Sequence, residues 1–254
     1  MLRSKVRFMV YPQFEAPRAP RRSRLHAAGR VIRFAVLAAL AFVLLPYLLT
    51  PLYLVIRPVS TPMLWRWVTG QRVVQTYLPL AAMSPALPIT VIVAEDARFC
   101  THAGVDWQGL RDVIEDADDT DDIRGGSTIT QQTAKNLFLW GGRSYVRKAL
   151  EMPLALWIDF VLPKSRVLEI YLNIAQWGPT GEFGVEAGSR RAFNKSAREV
   201  SAPEAALLAG MLPNPVVRDA RRPGPALRRL ASIHQGRAAG AGPLDSCVRA
   251  RRSP

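Results

Sequence analysis

Acidic residues are scarce in this sequence of 254 residues: 20 Asp and Glu stand against 34 Lys and Arg, giving a formal net charge of +14. Such an excess suggests nucleic acid, an anionic membrane surface or an anionic substrate as a partner. The basic residues are concentrated near the two ends of the chain. Neither cluster contains interleaved aromatic residues or a nucleic-acid-binding motif, so we do not expect DNA or RNA as a partner.

Charge is absent altogether from residues 34–56, a run longer than the roughly 20 residues that cross a bilayer. A cleaved signal peptide is the alternative, but its apolar core is about 7 to 15 residues long, and no clear A-x-A site follows here. The preceding basic residues predict a cytoplasmic N-terminus. Trp65 and Trp67 are then interfacial anchors or core residues. We predict a basic cytoplasmic tail over 1–33, a transmembrane helix over 34–56 and one periplasmic domain over 57–254.

Cysteine is also rare, and its two residues, Cys100 and Cys247, both fall in the part predicted to lie outside the cytoplasm. Two cysteines in an exported domain often pair. We predict a Cys100–Cys247 bridge that ties the tail to the segment around Cys100. Two free thiols are the alternative.

An acidic pair, Glu95 and Asp96, ends an apolar run that begins at Pro88. The β-branched residues of 89–93 favour a strand, whereas Pro88 at a first helical position and the spacing of the apolar residues allow a helix. A carboxylate half-buried by such a run has a raised pKa, towards the range of a general base. A pair of solvated charges at a helix end is the commoner arrangement.

Two glycines precede a polar stretch in RGGSTITQQTAKNLFLW, residues 124–140. Thr128 and Gln131 form a capping box that predicts a helix start. Gln131 and Lys135 then lie one turn apart, with Gln132 and Asn136 beside them, near the positive end of the helix dipole. This patch of amides and one cation suits a phosphate or a sugar. A solvated helix face after a glycine-rich turn is the alternative.

Arg147, Lys148 and Glu151 place two cations and a carboxylate on adjacent turns of a further predicted helix. They form either an exposed, ion-paired face or a pyrophosphate site with an organising carboxylate. Pro153 should kink or restart this helix, because proline removes a backbone donor. The acidic block EDADDTDD, residues 115–122, predicts a solvated loop, with a gate over a cleft as the alternative.

Two later segments have simpler patterns. Glu169 and Asn173 share one face of a predicted helix and are interpreted as structural. Ser201 and Glu204 form a second capping box. The first of these helices has an apolar stripe that predicts core packing, made of Val167, Leu168, Ile170, Tyr171 and Ile174.

These segments resemble the signatures of the peptidoglycan glycosyltransferases, the enzymes that polymerise lipid II into glycan strands. The pattern E-D-x-R-F-x-x-H-x-G-x-D over 95–106 is similar to the first signature, and GGSTITQQTAKNLFLW is similar to the second. Residues 147–178 resemble the third and fourth, and residues 181–215 the fifth, so the resemblance covers about 88–215 in the family's order. The chain departs from the family's usual residues at Pro153, Asp159, Pro163, Ala192 and Asn194.

The resemblance implies a mainly helical, lysozyme-like domain with a smaller membrane-proximal lobe, preceded by one transmembrane helix. We find no second enzymatic domain in the sequence, and no penicillin-binding Ser-x-x-Lys module fits in the length after residue 215. We therefore expect a monofunctional member of the family, held in the cell inner membrane by a single span.

The resemblance also implies the reaction: a lipid-linked strand is transferred to the 4-hydroxyl of GlcNAc in lipid II, with inversion and release of undecaprenyl pyrophosphate. Glu95 and Glu151 are the implied catalytic residues, the first as general base and the second as organiser of the pyrophosphate site. No organic cofactor is implied, but Mg²⁺ or Mn²⁺ at Glu151 is, as in some relatives. The implied substrate-binding residues are Asp96, Phe99, His102, Gly126, Ser127, Thr128, Gln131, Gln132, Lys135, Asn136, Arg147 and Lys148.

The implied partners are lipid II, the lipid-linked strand, the membrane, and proteins of cell division or wall synthesis. Two other functions remain open at this point. A glycan-cleaving enzyme of the lysozyme-like class needs an acidic residue in a cleft but no cationic patch. An inactive membrane-anchored scaffold needs neither the acidic residues nor the cations.

Overall fold

The structure is a computed structural model that describes residues 22–115, 126–142, 144–242 and 244–249. It divides into two compact units, Met1–Leu44 and Leu45–Pro254. Within helix α1 (Arg22–Leu49), the run from Gly29 has a mean hydropathy of 2.3 and continues to Leu54, long and apolar enough to cross a membrane. The predicted acidic loop lies outside the described residues after Glu115.

The end of the predicted transmembrane segment packs as part of the second unit. Helix α1 ends at Leu49 and is followed by a 3-10 turn, Thr50–Leu54. The ring of Tyr47 lies 6.0 Å from that of Trp157, whose Nε1 donates to the Tyr47 carbonyl at 3.1 Å. Aromatic packing of this kind stabilises a folded unit. The unit therefore begins at Leu45, earlier than the predicted boundary at residue 57.

Residues 86–95 form helix α3 (Ala86–Glu95), which confirms the helical alternative for this segment. Leu87, Val91 and Ile92 are fully buried, and a helix that is apolar all round is stable only inside a core. Tertiary packing thus outweighs the strand propensity of the β-branched residues. Pro88 lies in the first turn but not at its first position, since the helix begins at Ala86.

Helix α3 packs against two later helices, α9 (Ala202–Met211) and α10 (Pro225–Ala239). Ser201 and Glu204 form the predicted capping box at the start of α9. Short helices lie elsewhere in the same unit: α2 (Thr61–Val68), α4 (Trp107–Glu115), α8 (Val185–Phe193) and α11 (Ser246–Arg249).

A second group of helices consists of α5 (Ile129–Phe138), α6 (Tyr145–Val161) and α7 (Lys164–Ile174), with α5 packed on both others. The predicted apolar stripe of α7 is buried, as expected. Helix α6 runs continuously through Pro153, so the predicted restart does not occur. Buried Glu151 precedes the proline and buried Leu154 follows it, so the helix is packed on both sides of the lost hydrogen bond.

Two short strands, β1 (Val74–Gln75) and β2 (Glu182–Phe183), pair in parallel. The connection between β1 and α3 is held by α7: Asn173 Oδ1 accepts from Leu78 N at 2.8 Å, and Asn173 Nδ2 donates to the Leu78 carbonyl at 2.9 Å. Glu169 accepts from the Tyr77 hydroxyl at 2.8 Å. These bonds confirm the structural interpretation of Asn173 and Glu169.

The departure at Asn194 falls at a helix end where the backbone conformation favours glycine. Asn194 closes α8 in the left-handed conformation, with φ 56°. Glycine is the common residue at such a helix end, and asparagine is the next best because it tolerates this conformation. At Ala192 the small side chain packs against the core.

A disulfide joins Cys100 to Cys247, with the Cα atoms 5.5 Å apart, so the structure contains the predicted bridge. It ties α11 to the segment that follows α3, and α11 also packs on α7. The C-terminal segment is thereby fixed beside the first signature. The smaller membrane-proximal lobe stays a prediction, since residues 45–254 form one compact unit.

Candidate active site

Glu95 is the last residue of α3 and lines a cleft of about 510 Å³. Burial raises the pKa of its carboxyl group, and the charge of Asp96 adds to the rise. A hydrogen bond from Gln132 and the charges of Lys135 and Arg218 act in the opposite direction without cancelling it. A carboxylate with a raised pKa is suited to accept a proton near neutral pH. The environment predicted for Glu95 is therefore present.

Two side chains in a row position this carboxylate. Gln132 Nε2 donates to Glu95 Oε2 at 2.8 Å, and the hydroxyl of Tyr171 donates to Gln132 Oε1 at 2.9 Å. Tyr171 is 1% exposed, and burial raises its pKa well above the usual value, so it remains a protonated donor. Gln132 was predicted to bind substrate, but in the structure both ends of its amide serve to orient Glu95.

Asp96 binds the start of helix α5. Its Oδ2 accepts from the backbone N–H of Ile129 at 2.9 Å, and His102 Nε2 lies 2.9 Å from its Oδ1. A carboxylate at a helix N-terminus is favoured by the helix dipole. Asp96 lines the cleft, but both of its oxygens have protein partners. His102, predicted to bind substrate, is largely buried by this contact and is not among the residues lining the cleft.

Phe99, also predicted to bind substrate, is fully buried in the core. Its ring faces the ammonium of Lys164, which lies 4.7 Å from the ring centroid. A side chain enclosed in this way cannot touch a ligand in the cleft. The prediction for Phe99 is therefore corrected to a packing role. Large apolar residues are ordinarily found in the core, as Phe99 is here.

The predicted capping box of α5 is present and uses two residues that were expected to contact substrate. Gln131 Oε1 accepts from Thr128 N at 2.9 Å, and Thr128 Oγ1 accepts from Gln131 N at 3.1 Å. Gln131 is 2% exposed, so its amide serves the helix and not the cleft. Thr128 lines the cleft, but its hydroxyl donates to the Gly104 carbonyl.

Gly104 must be a glycine for this contact to form. Its φ is 78°, and a Cβ atom there would lie 2.5 Å from the carbonyl oxygen of Ala155. Ser127 and Gly126 line the cleft directly before the helix, as predicted. Asn136 is half-buried on α5 and is not among the lining residues.

A cation cluster borders the cleft at Ser127. Arg147 Nη1 donates to Glu151 Oε2 at 2.7 Å, Lys148 Nζ donates to Glu151 Oε1 at 2.7 Å, and the same Nζ donates to Ser127 Oγ at 2.8 Å. Glu151 is 2% exposed. Arg147 Nε is buried without a hydrogen-bond partner among the described residues. A buried donor left unpaired is costly, which points to a ligand acceptor at this position.

Lys135 is close enough to both carboxylates for them to act on it. Burial lowers the pKa of its ammonium, as do the charges of Arg147 and Lys148, while those of Glu151 and Glu95 raise it. Lys135 thus links the environment of Glu95 to the cation cluster. Three positive charges around one buried carboxylate leave a net positive site, which an anionic group would stabilise.

Glu151 does not fit the divalent cation that the resemblance implied. Each of its oxygens already accepts a hydrogen bond from a cation, Arg147 or Lys148. The described residues contain no group of three His, Cys, Asp or Glu side chains that could hold a metal ion. Magnesium and manganese prefer several oxygen ligands together, whereas both Glu151 oxygens are held by cations.

The sequence offered no signal for two further cations near Glu95. Arg218 Nη1 donates to the Gly210 carbonyl at 2.7 Å, and its charge acts on the pKa of Glu95. Arg237, in α10, lines the cleft. Both belong to the arginine-rich tail, where no periodic pattern distinguished one arginine from another. Only the packing of the tail on α3 identifies them.

The site joins a carboxyl group of raised pKa to a net positive cluster of side chains. A family model described as Transglycosylase matches residues 63–236. A biosynthetic peptidoglycan transglycosylase of Nitrobacter hamburgensis is 61% identical over 220 residues, covering 87% of this chain and 97% of the relative. A protein with the same description from Rhodopseudomonas palustris strain TIE-1 is 60% identical over 223 residues, covering 88% of this chain and 94% of the relative. Another, from Agrobacterium fabrum, is 49% identical over 215 residues, covering 84% of this chain and 95% of the relative.

The chain belongs to the transglycosylase family. Its mainly helical, lysozyme-like fold is the one that the resemblance implied. It is a glycosyltransferase enzyme.

Proposed function

We propose that this chain polymerises lipid II into peptidoglycan glycan strands and that Glu95 is the general base of the reaction. Glycan polymerisation in cell-wall biosynthesis is the activity of the family to which the chain belongs. The observation that carries the assignment of the site is the junction at Ser127, where the cleft of Glu95 meets the cations that surround Glu151.

Glu95 accepts the proton of the acceptor's 4-hydroxyl as that oxygen bonds to the anomeric carbon of the donor. The bond between that carbon and the pyrophosphate oxygen breaks in the same step, which inverts the carbon. The Gln132 hydrogen bond holds the carboxylate in place, and burial gives it the raised pKa that makes it a competent base.

Lys135, Arg147 and Lys148 stabilise the departing pyrophosphate. Negative charge on the leaving oxygens grows in the transition state, and cations already fixed in position lower its energy without having to reorganise. Glu151 fixes two of these cations through its two oxygens. The unpaired Arg147 Nε supplies a further donor for a phosphate oxygen.

The anchor brings the active site to lipid-linked substrates. We assign the run from Gly29 to a single inner-membrane span with a cytoplasmic N-terminus and a periplasmic enzyme domain. The length and hydropathy of that run support the span, and the Cys100–Cys247 disulfide supports an oxidising compartment for the domain. Trp65 is 66% exposed and Trp67 50% exposed, which favours interfacial anchors over core residues.

Neither of the two alternative functions explains all features of the site. A glycan-cleaving enzyme would use a carboxyl group in a cleft, but neutral leaving groups do not require three cations beside it. A scaffold would have no reason to keep Glu95 buried with a raised pKa, because burying a carboxylate costs stability. Among the partners, proteins of wall synthesis or division remain part of this proposal.

Full-length protein in detergent or bilayers, supplied with labelled lipid II, tests the proposal. We expect glycan polymers and free undecaprenyl pyrophosphate. Cleavage of purified peptidoglycan, without any polymer from lipid II, would contradict it and favour the hydrolase. Inactivity in both assays, with the protein folded, would favour the scaffold.

A further inference from the structure

Arg237 occupies an unusual position among the cations of the cleft. It lies just beyond residue 236, where the family match ends, yet it lines the same cleft as Glu95. Arg98, which also lines the cleft, is paired with Asp106 at 2.7 Å and Asp112 at 3.1 Å. Arg237 is exposed and has no carboxylate within salt-bridge distance among the residues that the structure describes. Its charge is therefore available to a ligand.

The cleft continues past Arg237 into a second cavity of about 380 Å³. The two cavities share Val93, Ala97 and Arg237, so Arg237 stands at their junction. The second cavity is otherwise lined by small or apolar residues of the C-terminal segment: Gly236, Gly240, Ala241 and Leu244. Small side chains leave room for a bulky substituent beside the sugars, with one cation at its entrance.

The C-terminal segment is held firmly enough to act as a wall of the cleft. Helix α10 packs on α3, the helix that ends at Glu95, and on α9. His234, one turn before Arg237, is buried; burial and then the charges of Arg237 and Arg218 lower its pKa. The Cys100–Cys247 disulfide closes the segment onto the loop after α3.

We propose that Arg237 is a substrate-binding residue that pairs with an anionic oxygen group of lipid II in a subsite formed by the C-terminal segment. The inference rests on the proposed function, because it names a contact of the same substrate. Lipid II carries two kinds of such group that the cation cluster does not already serve: the carboxylates of its peptide and the pyrophosphate of the acceptor molecule. A guanidinium binds either through two parallel hydrogen bonds.

Kinetics on the full-length protein test this contact, with Arg237→Gln as the main variant. We expect its KM for lipid II to rise by at least about tenfold, the loss typical of charge-assisted hydrogen bonds, with kcat within about twofold of wild type. Arg237→Lys, which keeps the charge, should recover part of the loss. Arg229→Gln is the matched control, because Arg229 is also exposed on α10 but does not line the cleft.

A second substrate, lipid II with amidated peptide carboxylates, distinguishes the two sources of the anion. If the carboxylate is the partner, wild type should show the higher KM on this substrate and Arg237→Gln should lose nothing more. If the phosphate is the partner, Arg237→Gln should lose the same factor on both substrates.

The inference is overturned if Arg237→Gln and Arg229→Gln have the same KM on both substrates, or if only kcat falls. Either result leaves the proposed function intact, because wild type would still polymerise lipid II. Failure of wild type to polymerise lipid II would instead contradict the proposed function itself. Thermal melting of each variant confirms that an altered KM comes from a folded protein.

Discussion

Gln132 Nε2 donates a hydrogen bond of 2.8 Å to Glu95 Oε2, and this contact joins helix α5 to the end of helix α3. The bond stabilises the charged form of a carboxyl group that burial disfavours. It therefore holds the base in one orientation and limits how far its pKa rises. Both effects matter for a group that must be deprotonated before each proton transfer.

Replacement of Gln132 by leucine should shift the pH dependence of the reaction. Leucine cannot donate the hydrogen bond that lowers the pKa of Glu95, so the pKa should rise further above the usual value. The acidic limb of kcat/KM then moves to higher pH, because the base must lose its proton to act. The measurement is a pH profile of lipid II polymerisation. Gln71→Leu, at an exposed position, is the control, and coincident acidic limbs for wild type and Gln132→Leu would refute the role.

Replacement of Glu151 by glutamine should damage both the binding of the donor and the stability of the domain. Arg147 and Lys148 lose the carboxylate that positions them, and removing one partner of a buried ion pair typically costs about 3 to 5 kcal/mol. We expect a clear fall in the melting temperature. A phosphoglycolipid that mimics the donor strand should bind on the order of tenfold more weakly, as measured by fluorescence anisotropy. Undiminished binding would remove Glu151 from the pyrophosphate site.

Two truncations should separate the anchor from the enzyme domain. Deletion of residues 1–44 should leave a folded domain, whereas deletion of 1–56 also removes Tyr47 and Tyr53, which pack against Trp157 and Phe138. Removal of a buried aromatic side chain such as Tyr53 typically costs about 3 to 5 kcal/mol, and the loss of half-buried Tyr47 adds to this cost. The longer deletion should therefore melt at a clearly lower temperature. Equal melting temperatures would show that the unit begins later than Leu45.

The shorter truncation also tests the purpose of the span. Without the span, the domain should remain folded but should polymerise membrane-embedded lipid II poorly. Activity equal to that of the full-length protein in bilayers would contradict the role of the anchor in substrate delivery.

The Cys100–Cys247 bridge should be measurable by chemistry and by stability. Non-reduced, denatured protein isolated from the membrane should show no free thiols. The bridge closes a long loop, with a sequence separation of 147, and such a bridge contributes about 2 to 4 kcal/mol in typical cases. The single variants Cys100→Ser and Cys247→Ser should each lower the melting temperature, and the two decreases should be similar to each other. Two reactive thiols per chain would end the idea.

Local patterns in the sequence were sufficient for the elements that local interactions determine. The capping box of Thr128 and Gln131 and the polar layout of α6 are set by residues three or four positions apart, and both are present in the structure. The pKa of Glu95 could also be anticipated, because an apolar run directly precedes it. The burial of 89–93 decided between helix and strand, and burial depends on α9 and α10, which lie far along the chain.

The role of each polar side chain depends on tertiary contacts that no local sequence pattern reveals. Gln131 and Gln132 are neighbours of the same type, yet the first caps a helix and the second binds Glu95. Their side chains point about 100° apart on the helix, and only the position of α3 determines which of them meets the carboxylate. The position of Arg237 in the cleft likewise depends on tertiary packing, because it is set by how α10 packs.

The activity of Glu95→Gln tests whether Glu95 is the general base of the reaction. Glutamine keeps the size and hydrogen bonding of the side chain but cannot accept the proton, and a general base is worth about 10² to 10⁴ in rate. We predict that lipid II polymerisation falls by at least about a hundredfold, while the donor-mimicking phosphoglycolipid still binds and Glu199→Gln, at an exposed position, behaves as wild type. The melting temperature at pH 7 should not fall. A buried carboxyl group with a raised pKa destabilises the folded protein as it ionises with rising pH, and glutamine does not ionise. Retention of more than about a tenth of the wild-type rate by a folded Glu95→Gln would contradict the assignment of Glu95 as the general base.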